Sequence, residues 1–348
     1  MNRSLKDVID ENREKLETMS FNGVSKITMV FLSIFVLGCA GLSFYWDSEP
    51  DLFTVRDNQA SILLKLARKP VTGSATITTM ITMADILLHK PGGYLSNDLS
   101  PPGSLMDNIP NWEFGVLVQL RDMARTLRNN LSRSQSQSQE DADLVTAENQ
   151  FYFDNEKWIF PESESEYQKA ITALSDYLLR LGDERQSSAQ FYARADNLRI
   201  WLSEVETRLG NISQKLSASV GKRQLDTALA GDSSANQSTV TDKELELKTP
   251  WSELDDVFYQ ARGTTWALIH LLSAIEIDFA DVLAKKNATV SLQQIIRELE
   301  PTQDALWSPV ILNGSGLGIL ANHSLVMASH VSRANAALID LRRLLEQG

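Results

Sequence analysis

The amino-acid sequence predicts an all-α protein, in which an N-terminal transmembrane helix precedes an elongated helical-bundle body of long antiparallel, coiled-coil-like helices. Three observations predict this fold class. Residues 27–45 form an uncharged apolar run, hydrophobic residues recur at alternating spacings of four and three, and no convincing array of period-two strands is visible. The 348 residues are 43% hydrophobic and 22% charged, so the chain can bury a sizeable core without a metal or a disulfide.

Residues 27–45 form the strongest membrane signal in the chain. These nineteen residues carry no charge, and at 1.5 Å per residue they form a helix about 28 Å long, close to the ~30 Å hydrocarbon core of a bilayer. Tyr45 and Trp46 fall where aromatic rings favour the interface with water. We therefore predict an uncleaved transmembrane anchor over residues 27–46.

Two export signals are alternatives to this anchor. A cleaved secretory signal would need a first region of 26 residues with five acidic side chains, and no small-residue cleavage site follows the apolar run. A lipoprotein signal would end at Cys39, but Leu37 and the apolar residues after the cysteine fit such a signal poorly. The uncleaved anchor fits the sequence better than either signal.

The charges on either side of the apolar run predict its orientation. Residues 1–26 contain five basic side chains, whereas the first charges after the run are acidic. This bias places residues 1–26 in the cytoplasm and residues 47–348 in the periplasm. The single cysteine, Cys39, excludes an intrachain disulfide, which suits a bacterial periplasmic body better than a secreted eukaryotic one. The expected location is the inner membrane, with a single span.

Hydrophobic spacing predicts the helices of the body. One stripe between residues 167 and 181 and a second between residues 191 and 216 are separated by a short break that contains a glycine. Ser163 and Glu166 form a capping box at the start of the first stripe. The two stripes predict an antiparallel helical hairpin, with its second arm over residues 191–219.

Further stripes of the same kind predict the remaining helices. They cover residues 77–87, 116–127, 254–282 and 320–345. Two polar stretches, near residues 132–143 and 230–242, have no apolar pattern and predict mobile connections. Because a helical hairpin has an apolar face that needs a cover, we expect all of these blocks to pack into one elongated bundle.

The stretch over residues 91–112 is the main candidate for a binding surface. It holds four of the ten prolines and has no helical periodicity, and ordered loops of this length usually bind or cover something. One interpretation is that it wraps an end of the bundle, with Tyr94, Leu105 and Trp112 as packing anchors. The other is a surface for a partner or a ligand. The residues of this candidate surface are Tyr94, Asp98, Leu105, Asn108 and Trp112.

Four histidines are candidates for metal or acid–base chemistry. Asp85 and His89 are four residues apart on a predicted helix, a spacing that can offer two ligands to one ion, but no third ligand lies nearby in sequence. His323 and His330 are two helical turns apart, about 10.5 Å, which is too far to share an ion. His270 lies in an uncharged run and is expected to make one hydrogen bond in the core. We therefore predict no metal, no cofactor and no catalytic residue.

An uncharged stretch between Asp304 and Arg333 raises the alternative of a second membrane span. Pro309, three glycines and several asparagine and histidine side chains make such a span costly in a bilayer. We therefore expect this stretch to be a buried segment of the body.

Charge and motif content exclude several functions. The chain has 33 basic and 45 acidic side chains, for a net charge of -12, whereas binding to nucleic acid needs a surplus of lysine and arginine. No GxSxG motif is present, and the one S-x-x-K match, Ser219 to Lys222, falls at the end of a predicted helix. No coherent catalytic constellation emerges.

Three segments of the chain resemble a known family. They are YWDSEPDLF after the apolar run, then KPGGYLSNDLSPPGSLMDNIPNWEFGVLVQLRDMARTLRN, and WSPVILNGSGLGILANHSLVMASH near the C-terminus. Their order after an N-terminal span is similar to that of a DUF2333-like family, which is an uncharacterised family of inner-membrane proteins from Gram-negative bacteria. The resemblance covers nearly the whole chain. It implies location and anchoring, and it implies no catalytic residue.

Together these observations favour a membrane-anchored, periplasm-facing helical interaction or scaffold protein of the cell envelope, without evident catalytic activity. Its expected partners are the lipid bilayer and either an envelope protein or a second copy of the chain, and not nucleic acid. A ligand-sensing accessory subunit is the first alternative, because helical bundles can bind small molecules between helices. A hydrolase or metalloenzyme that uses the histidines is the least favoured alternative.

Overall fold

The computed structural model describes residues 5–133, 139–183, 188–225, 244–308, 310–315 and 319–347. Within these ranges the chain forms eleven α-helices and one two-stranded antiparallel ribbon, so the predicted all-α class is confirmed. The helices are α1 (Leu5–Trp46), α2 (Val55–Lys65), α3 (Ser74–His89), α4 (Asn108–Thr126), α5 (Ala142–Phe151), α6 (Ser163–Leu181), α7 (Ala195–Ser217), α8 (Leu254–Asp278), α9 (Ala280–Lys285), α10 (Thr289–Leu299) and α11 (His323–Glu346). The strands are β1 (Lys222–Leu225) and β2 (Glu244–Leu247).

Helix α1 is 42 residues long, and its second half is the apolar run found in the sequence. The segment Ser25–Trp46 has 22 residues and a mean hydropathy of 2.2, and the body buries none of it. The side chains of Phe31, Leu37 and Phe44 are 69%, 71% and 88% exposed. A helix of this length and composition can cross a membrane, and a signal sequence would have the same properties.

The close crossing of α4 and α8 organises the body. A Cβ atom on Gly263 of α8 would lie 2.0 Å from the carbonyl oxygen of Trp112. A Cβ atom on Gly115 of α4 would lie 2.3 Å from the carbonyl oxygen of Gln260. Only glycine allows the two backbones to approach so closely. Beside the crossing, the rings of Trp112 and Trp266 pack edge to face with 5.2 Å between their centroids.

The predicted hairpin is wrong, although both of its arms are helical. Helix α6 packs against α5 and α3, whereas α7 packs along α11. The chain between α6 and α7 covers residues 182–194, which is longer than the short loops that hold consecutive helices side by side. This length lets α7 pair with a helix that is distant in sequence.

Polar contacts at the helix ends also differ from the predicted capping box. The hydroxyl of Ser163 donates to the carbonyl oxygens of Asp154 and Lys157, at 2.7 and 2.9 Å, and does not cap α6. Ser163 therefore holds the preceding loop. The first turn of α3 is capped from another helix, because the buried carboxylate of Asp278 in α8 accepts from the backbone N–H of Thr76 at 2.7 Å.

The other predicted helices are confirmed. The stripes at residues 77–87 and 116–127 belong to α3 and to α4 with its π-helical extension, the stripe at 254–282 to α8 and α9, and the stripe at 320–345 mainly to α11. The β1–β2 ribbon has no counterpart among the predicted elements. Residues 230–242 lie outside the described residues. Of residues 132–143 the structure describes 132–133 and 139–143, where Ala142 already begins α5.

The uncharged stretch between Asp304 and Arg333 is neither a second span nor fully buried. Among the described residues, α1 alone is long and apolar enough to cross a membrane. Val331 is fully buried, as expected. Before α11, Ile311 is buried as well, but Trp307 and Ile319 are fully exposed at 96% and 105%, so the expectation of a buried segment is wrong for the described chain around these two residues.

One end of the bundle receives the C-terminus of α1, and we call it the α1 end. Trp46 packs against Gly92, and the side chain of Asn108 lies 3.5 Å from that of Asp47. The connections at this end cover residues 90–107 and 152–162 and the described parts of residues 218–253 and 300–322. Side-chain amides join neighbouring connections, since Asn97 donates to Lys157 at 2.9 Å and Asn313 donates to Ser219 at 2.8 Å.

The opposite end, which we call the far end, gathers the remaining connections. They cover residues 66–73 and 279–288 and the described parts of residues 127–141 and 182–194. The ring of Phe191 packs on that of Phe279 with 5.9 Å between centroids, and Arg180 donates to Asp141 at 2.9 Å. The two ends are therefore separated by the lengths of α4, α6 and α8.

Replacing Gly263 with alanine should destabilise the body, because the new methyl group meets the α4 backbone, which cannot rotate away as a side chain can. We expect a loss of about 2 kcal/mol or more, measured by chemical denaturation. Gly210→Ala is the matched control, because Gly210 lies within α7 with its nearest neighbour 3.7 Å away. Alanine there should be neutral or stabilising by up to about 1 kcal/mol. Similar losses in both variants would argue against the tight crossing.

Candidate functional site

The strongest candidate site is the contact between the chain that follows α1 and one face of α8. Residues 47–54 form no helix or strand, and we call them the connecting segment. Alternate residues of this segment meet every fourth residue of α8: Glu49 pairs with Arg262, Asp51 with Trp266 and Phe53 with His270. Two residues of stretched chain cover about 6.6 Å and four residues of helix about 6 Å. The matching steps allow one polar contact per helical turn.

Arg262 anchors the first of these pairs. Its side chain is 9% exposed, and Nε donates to the two carboxylate oxygens of Glu49 at 2.8 and 2.7 Å. Nη1 donates to the carbonyl oxygens of Thr302 and Asp304 at 3.0 and 2.9 Å. A buried guanidinium is stable only with such a set of acceptors. Arg262 therefore joins the connecting segment, α8 and the chain that follows α10.

The middle pair uses the indole of Trp266, whose Nε1 donates to the carbonyl oxygen of Asp51 at 3.3 Å. The third pair uses His270, whose Nε2 accepts from the backbone N–H of Phe53 at 3.0 Å. The proton of the ring therefore lies on Nδ1, which donates to the carbonyl oxygen of Trp266 at 2.8 Å. The sequence predicts one core hydrogen bond for His270, and the structure adds a second, to the connecting segment.

His270 is a neutral part of the core. Its side chain is 1% exposed, and the ring of Phe53 stacks on it with 3.9 Å between centroids. Burial lowers the pKa of His270 to about 4. A buried, uncharged imidazole that is bonded on both sides holds the backbone in place and has no free nitrogen for a metal ion.

A cavity of about 520 Å³ lies between the connecting segment and α8. Asp47, Glu49, Asp51, Tyr259 and Arg262 provide charged and polar groups in its lining. Burial and repulsion by neighbouring acids raise the pKa of Asp47, and the same causes raise the pKa of Tyr259 to about 12. Because Glu49 already pairs with Arg262, the remaining charge of the lining is acidic. The cavity therefore favours a small cation or a hydrogen-bond donor.

His323 and His330 line a second cavity, of about 220 Å³, although they are two turns apart on α11. Nδ1 of His323 accepts from the backbone N–H of Leu312 at 3.1 Å, and burial lowers the pKa of His323. Nδ1 of His330 lies 2.8 Å from a guanidinium nitrogen of Arg333. Within the described ranges, no group of three histidine, cysteine or carboxylate side chains is placed to hold a metal ion.

Asp85 and His89 lie on the last two turns of α3, where their side chains meet at 3.0 Å. They are 59% and 63% exposed, so water competes with this contact. The predicted pair therefore exists as a surface contact at the α1 end.

The candidate residues of the loop over 91–112 divide into a buried and an exposed set. Tyr94 and Trp112 are 4% and 0% exposed, and the hydroxyl of Tyr94 donates to the carbonyl oxygen of Asn155 at 3.1 Å. These two residues are packing anchors, as expected. Leu105 is 78% exposed, so its expected role as a third anchor is wrong. It is the last residue of a short 3-10 helix, Gly103–Leu105, in which Gly103 is the buried residue.

The two polar candidates of the same loop lie near the start of α4. The amide of Asn108 is next to Asp47, which places it beside the connecting segment. Partial burial raises the pKa of Asp98. The structure therefore brings Asn108 to the candidate site, and it places Asp98 in the neighbouring connection.

The sequence analysis did not predict two buried ion pairs, Glu49 with Arg262 and Lys90 with Glu113. Lys90 and Glu113 are buried together, and the carboxylate of Glu113 also accepts from the backbone N–H groups of Leu95 and Ser96 at 2.9 Å each. This pair fixes the start of the loop over 91–112. Arg262 is a charged residue on the apolar face of the helix predicted over 254–282, where it needs a buried partner. Glu113 lies three residues before the stripe predicted at 116–127 and in line with its apolar face, which is a weaker signal of the same kind.

Comparison with known proteins identifies one family. A family model described as an uncharacterized protein conserved in bacteria, DUF2333, matches residues 19–348. No curated protein and no solved structure matches the chain.

Replacing Arg262 with methionine should release the connecting segment. The variant leaves Glu49, 14% exposed, without its partner, and it leaves two carbonyl oxygens unpaired. We expect a loss of about 3 kcal/mol, measured by chemical denaturation of the full chain in detergent micelles. The matched control is Arg297→Met, because Arg297 is 75% exposed beside Glu300 and should contribute less than about 1 kcal/mol. Equal losses would contradict the role of Arg262.

Acidification should weaken the same contact through His270. The pKa rises from about 4 in the folded chain to near 6.5 on unfolding, so the unfolded state binds the extra proton between these values. The contribution of His270 is complete above pH 6.5 and falls by about 2 kcal/mol between pH 7 and pH 5. Denaturation of the wild type and of His270→Gln at both pH values measures this loss. The glutamine still accepts from Phe53 but does not titrate, so an unchanged pH dependence in the variant would refute the assignment.

Proposed function

The chain belongs to the DUF2333 family, an uncharacterised family conserved in bacteria, and we propose that it is a single-pass, membrane-anchored helical interaction protein of the cell envelope. The segment Ser25–Trp46 is the anchor, and the bundle is the part that contacts other envelope components. The expected envelope partner is a protein or a second copy of the chain. The bundle carries no catalytic role in this proposal.

The rigid attachment of the anchor to the bundle is the observation that carries the proposal. Three polar contacts in register hold the connecting segment on α8, and one of them is a buried ion pair. A soluble domain that only needs to stay near a membrane can use a flexible linker. A fixed connection instead sets the height and the angle of the bundle above the bilayer. This constraint is useful to a protein that must meet a partner at a defined position.

The proposed orientation places residues 1–26 in the cytoplasm and the bundle in the periplasm. It follows from the basic residues before the span and from the acidic residues directly after it, which include Asp47, Glu49 and Asp51. The inner membrane of a Gram-negative bacterium is the expected location.

The cavity of about 520 Å³ favours a second candidate function, that of a ligand-sensing accessory subunit. Its volume falls in the usual range for small-molecule sites, about 300 to 1,000 Å³. A ligand bound there would contact both the connecting segment and α8, so it would change how firmly the anchor is held. Thermal-shift measurements with small aliphatic amines test this function. A shift that Asp51→Asn abolishes would favour it over the interaction role.

Labelling of single cysteines tests the anchor and its orientation. In a Cys39→Ala background, Lys6→Cys and Val290→Cys place a thiol before the span and on the exposed start of α10. In intact spheroplasts, a membrane-impermeant maleimide should label position 290 and should reach position 6 only after lysis. The chain should also stay in the membrane fraction after an alkaline wash. Release by that wash, or the reverse labelling pattern, would reject the proposal.

The interaction role needs its own measurement. Photo-crosslinking of the full chain in native membranes should repeatedly give the same protein adduct, or a dimer, from positions on the exposed surface of the bundle. Repeated experiments that give neither product would count against an interaction protein, even with the anchor confirmed.

A further inference from the structure

The two ends of the bundle expose very different side chains. Ten large apolar residues of the α1-end connections are more than half exposed. Six of them are the four aromatic residues Trp158 (55%), Phe160 (88%), Trp251 (81%) and Trp307 (96%) and the two most exposed aliphatic residues, Leu105 (78%) and Ile319 (105%). The other four are Leu99, Ile159, Val310 and Leu320. In the described connections of the far end, large exposed apolar side chains are absent, and in the adjoining helix ends two such residues are more than half exposed, Leu64 (82%) in α2 and Val290 (75%) in α10. The two ends are built from the same kind of loop, so loop structure alone does not explain the difference.

The exposed apolar residues are too numerous at one end to be a random feature of a surface. Single exposed apolar side chains are normal, but a cluster at one place indicates a surface that another phase or molecule covers. Four of the six are aromatic: Trp158, Phe160, Trp251 and Trp307. Each sits in a connection between helices, where a polar side chain would cost the fold nothing. We call these six residues the apolar rim.

The apolar rim shares its end of the bundle with the C-terminus of the anchor. Trp46 packs on Gly92. In the same loop, the side-chain amide of Asn97 donates to the carbonyl oxygen of Lys157, one residue before Trp158. Ala305 lines the cavity beside the connecting segment, two residues before Trp307. The connections that carry Trp158 and Trp307 therefore lie close to the point where α1 leaves the bundle.

We propose that the α1 end of the bundle rests on the bilayer and that the apolar rim inserts into its interfacial region, so that the surface fits a lipid membrane. The proposal rests on the proposed function in one respect, namely that α1 spans the same membrane. Because the connecting segment is clamped to α8, the rim stays at the height of the span's end. Tryptophan and phenylalanine are residue types that favour this interface.

The charges near the rim indicate which lipids it fits. Asp98, Asp107, Asp255 and Asp256 lie in or next to the connections of the α1 end, and repulsion from Asp107 and Asp255, after burial, contributes to a raised pKa of Asp256. Such a surface repels anionic headgroups. Apolar insertion therefore holds the contact, and zwitterionic lipids suit it better than anionic lipids.

Depth-sensitive fluorescence on the full chain tests the proposal. In the Cys39→Ala background, an environment-sensitive probe is attached to Phe160→Cys or Trp307→Cys. Val290→Cys is the matched control, because position 290 is 75% exposed at the start of α10, near the far end. The chain is reconstituted into phosphatidylcholine vesicles that contain lipids with nitroxide-labelled acyl chains. The probes at 160 and 307 should shift to shorter wavelength and lose fluorescence to the nitroxides, and the probe at 290 should do neither.

The outcomes separate this inference from the proposed function. In one outcome the chain resists an alkaline wash of the vesicles, but the probes at 160 and 307 behave like the probe at 290. This result would overturn the lipid contact and leave the anchor intact. Chain that never enters the vesicles would reject the anchor itself. In another outcome the probes at 160 and 307 are not quenched, and the same positions give protein crosslinks in native membranes. This result would assign the rim to a protein partner and reject the lipid proposal.

Discussion

The register between the connecting segment and α8 is the constraint on which the arrangement of this protein depends. Glu49, Asp51 and Phe53 advance along a stretched chain by the same distance as Arg262, Trp266 and His270 advance along one face of a helix. A shift by one residue would move the carboxylate of Glu49, the carbonyl oxygen of Asp51 and the N–H of Phe53 away from their partners on α8. Contacts with the core of the body therefore fix the direction in which α1 leaves the bundle, whereas a flexible linker would leave this direction free.

The same constraint explains why the bundle has two unlike ends. A tethered body with a free linker would present all of its surfaces to the membrane in turn, so no single end would have a special composition. In this protein the α1 end is held next to the proposed span, and that end carries Trp158, Phe160 and Trp307 on its surface. The acidic side chains nearby, such as Asp47, keep the intervening surface polar. The exposed aromatic residues are useful at this end because the connecting segment keeps the same end next to α1.

Sequence patterns predicted the elements of this fold better than their partners. The 4-3 spacing located α3, α4, α8 and α11, because burial of one helix face leaves a periodic record. The pairing of α6 with α7 was wrong because spacing does not identify which apolar face covers which. The roles of Arg262 and Glu113 were missed for a similar reason: a charge on a buried face signals a partner, but the partner lies far away in sequence. The sequence also did not predict that Trp307 is exposed, because tryptophan occurs both in buried cores and on exposed surfaces.

The neighbouring positions 262 and 263 show how the core and the connecting segment are coupled. Gly263 allows the backbone of α4 to contact α8, and Arg262, one residue earlier, points toward the connecting segment and the chain after α10. Asn108, at the start of α4, then meets Asp47, the first residue of the connecting segment. The docking surface for the connecting segment therefore exists only where α4 and α8 are correctly crossed. A bundle with a loosened crossing would therefore also lose the contacts that hold the connecting segment, and with them the proposed fixed position above the bilayer.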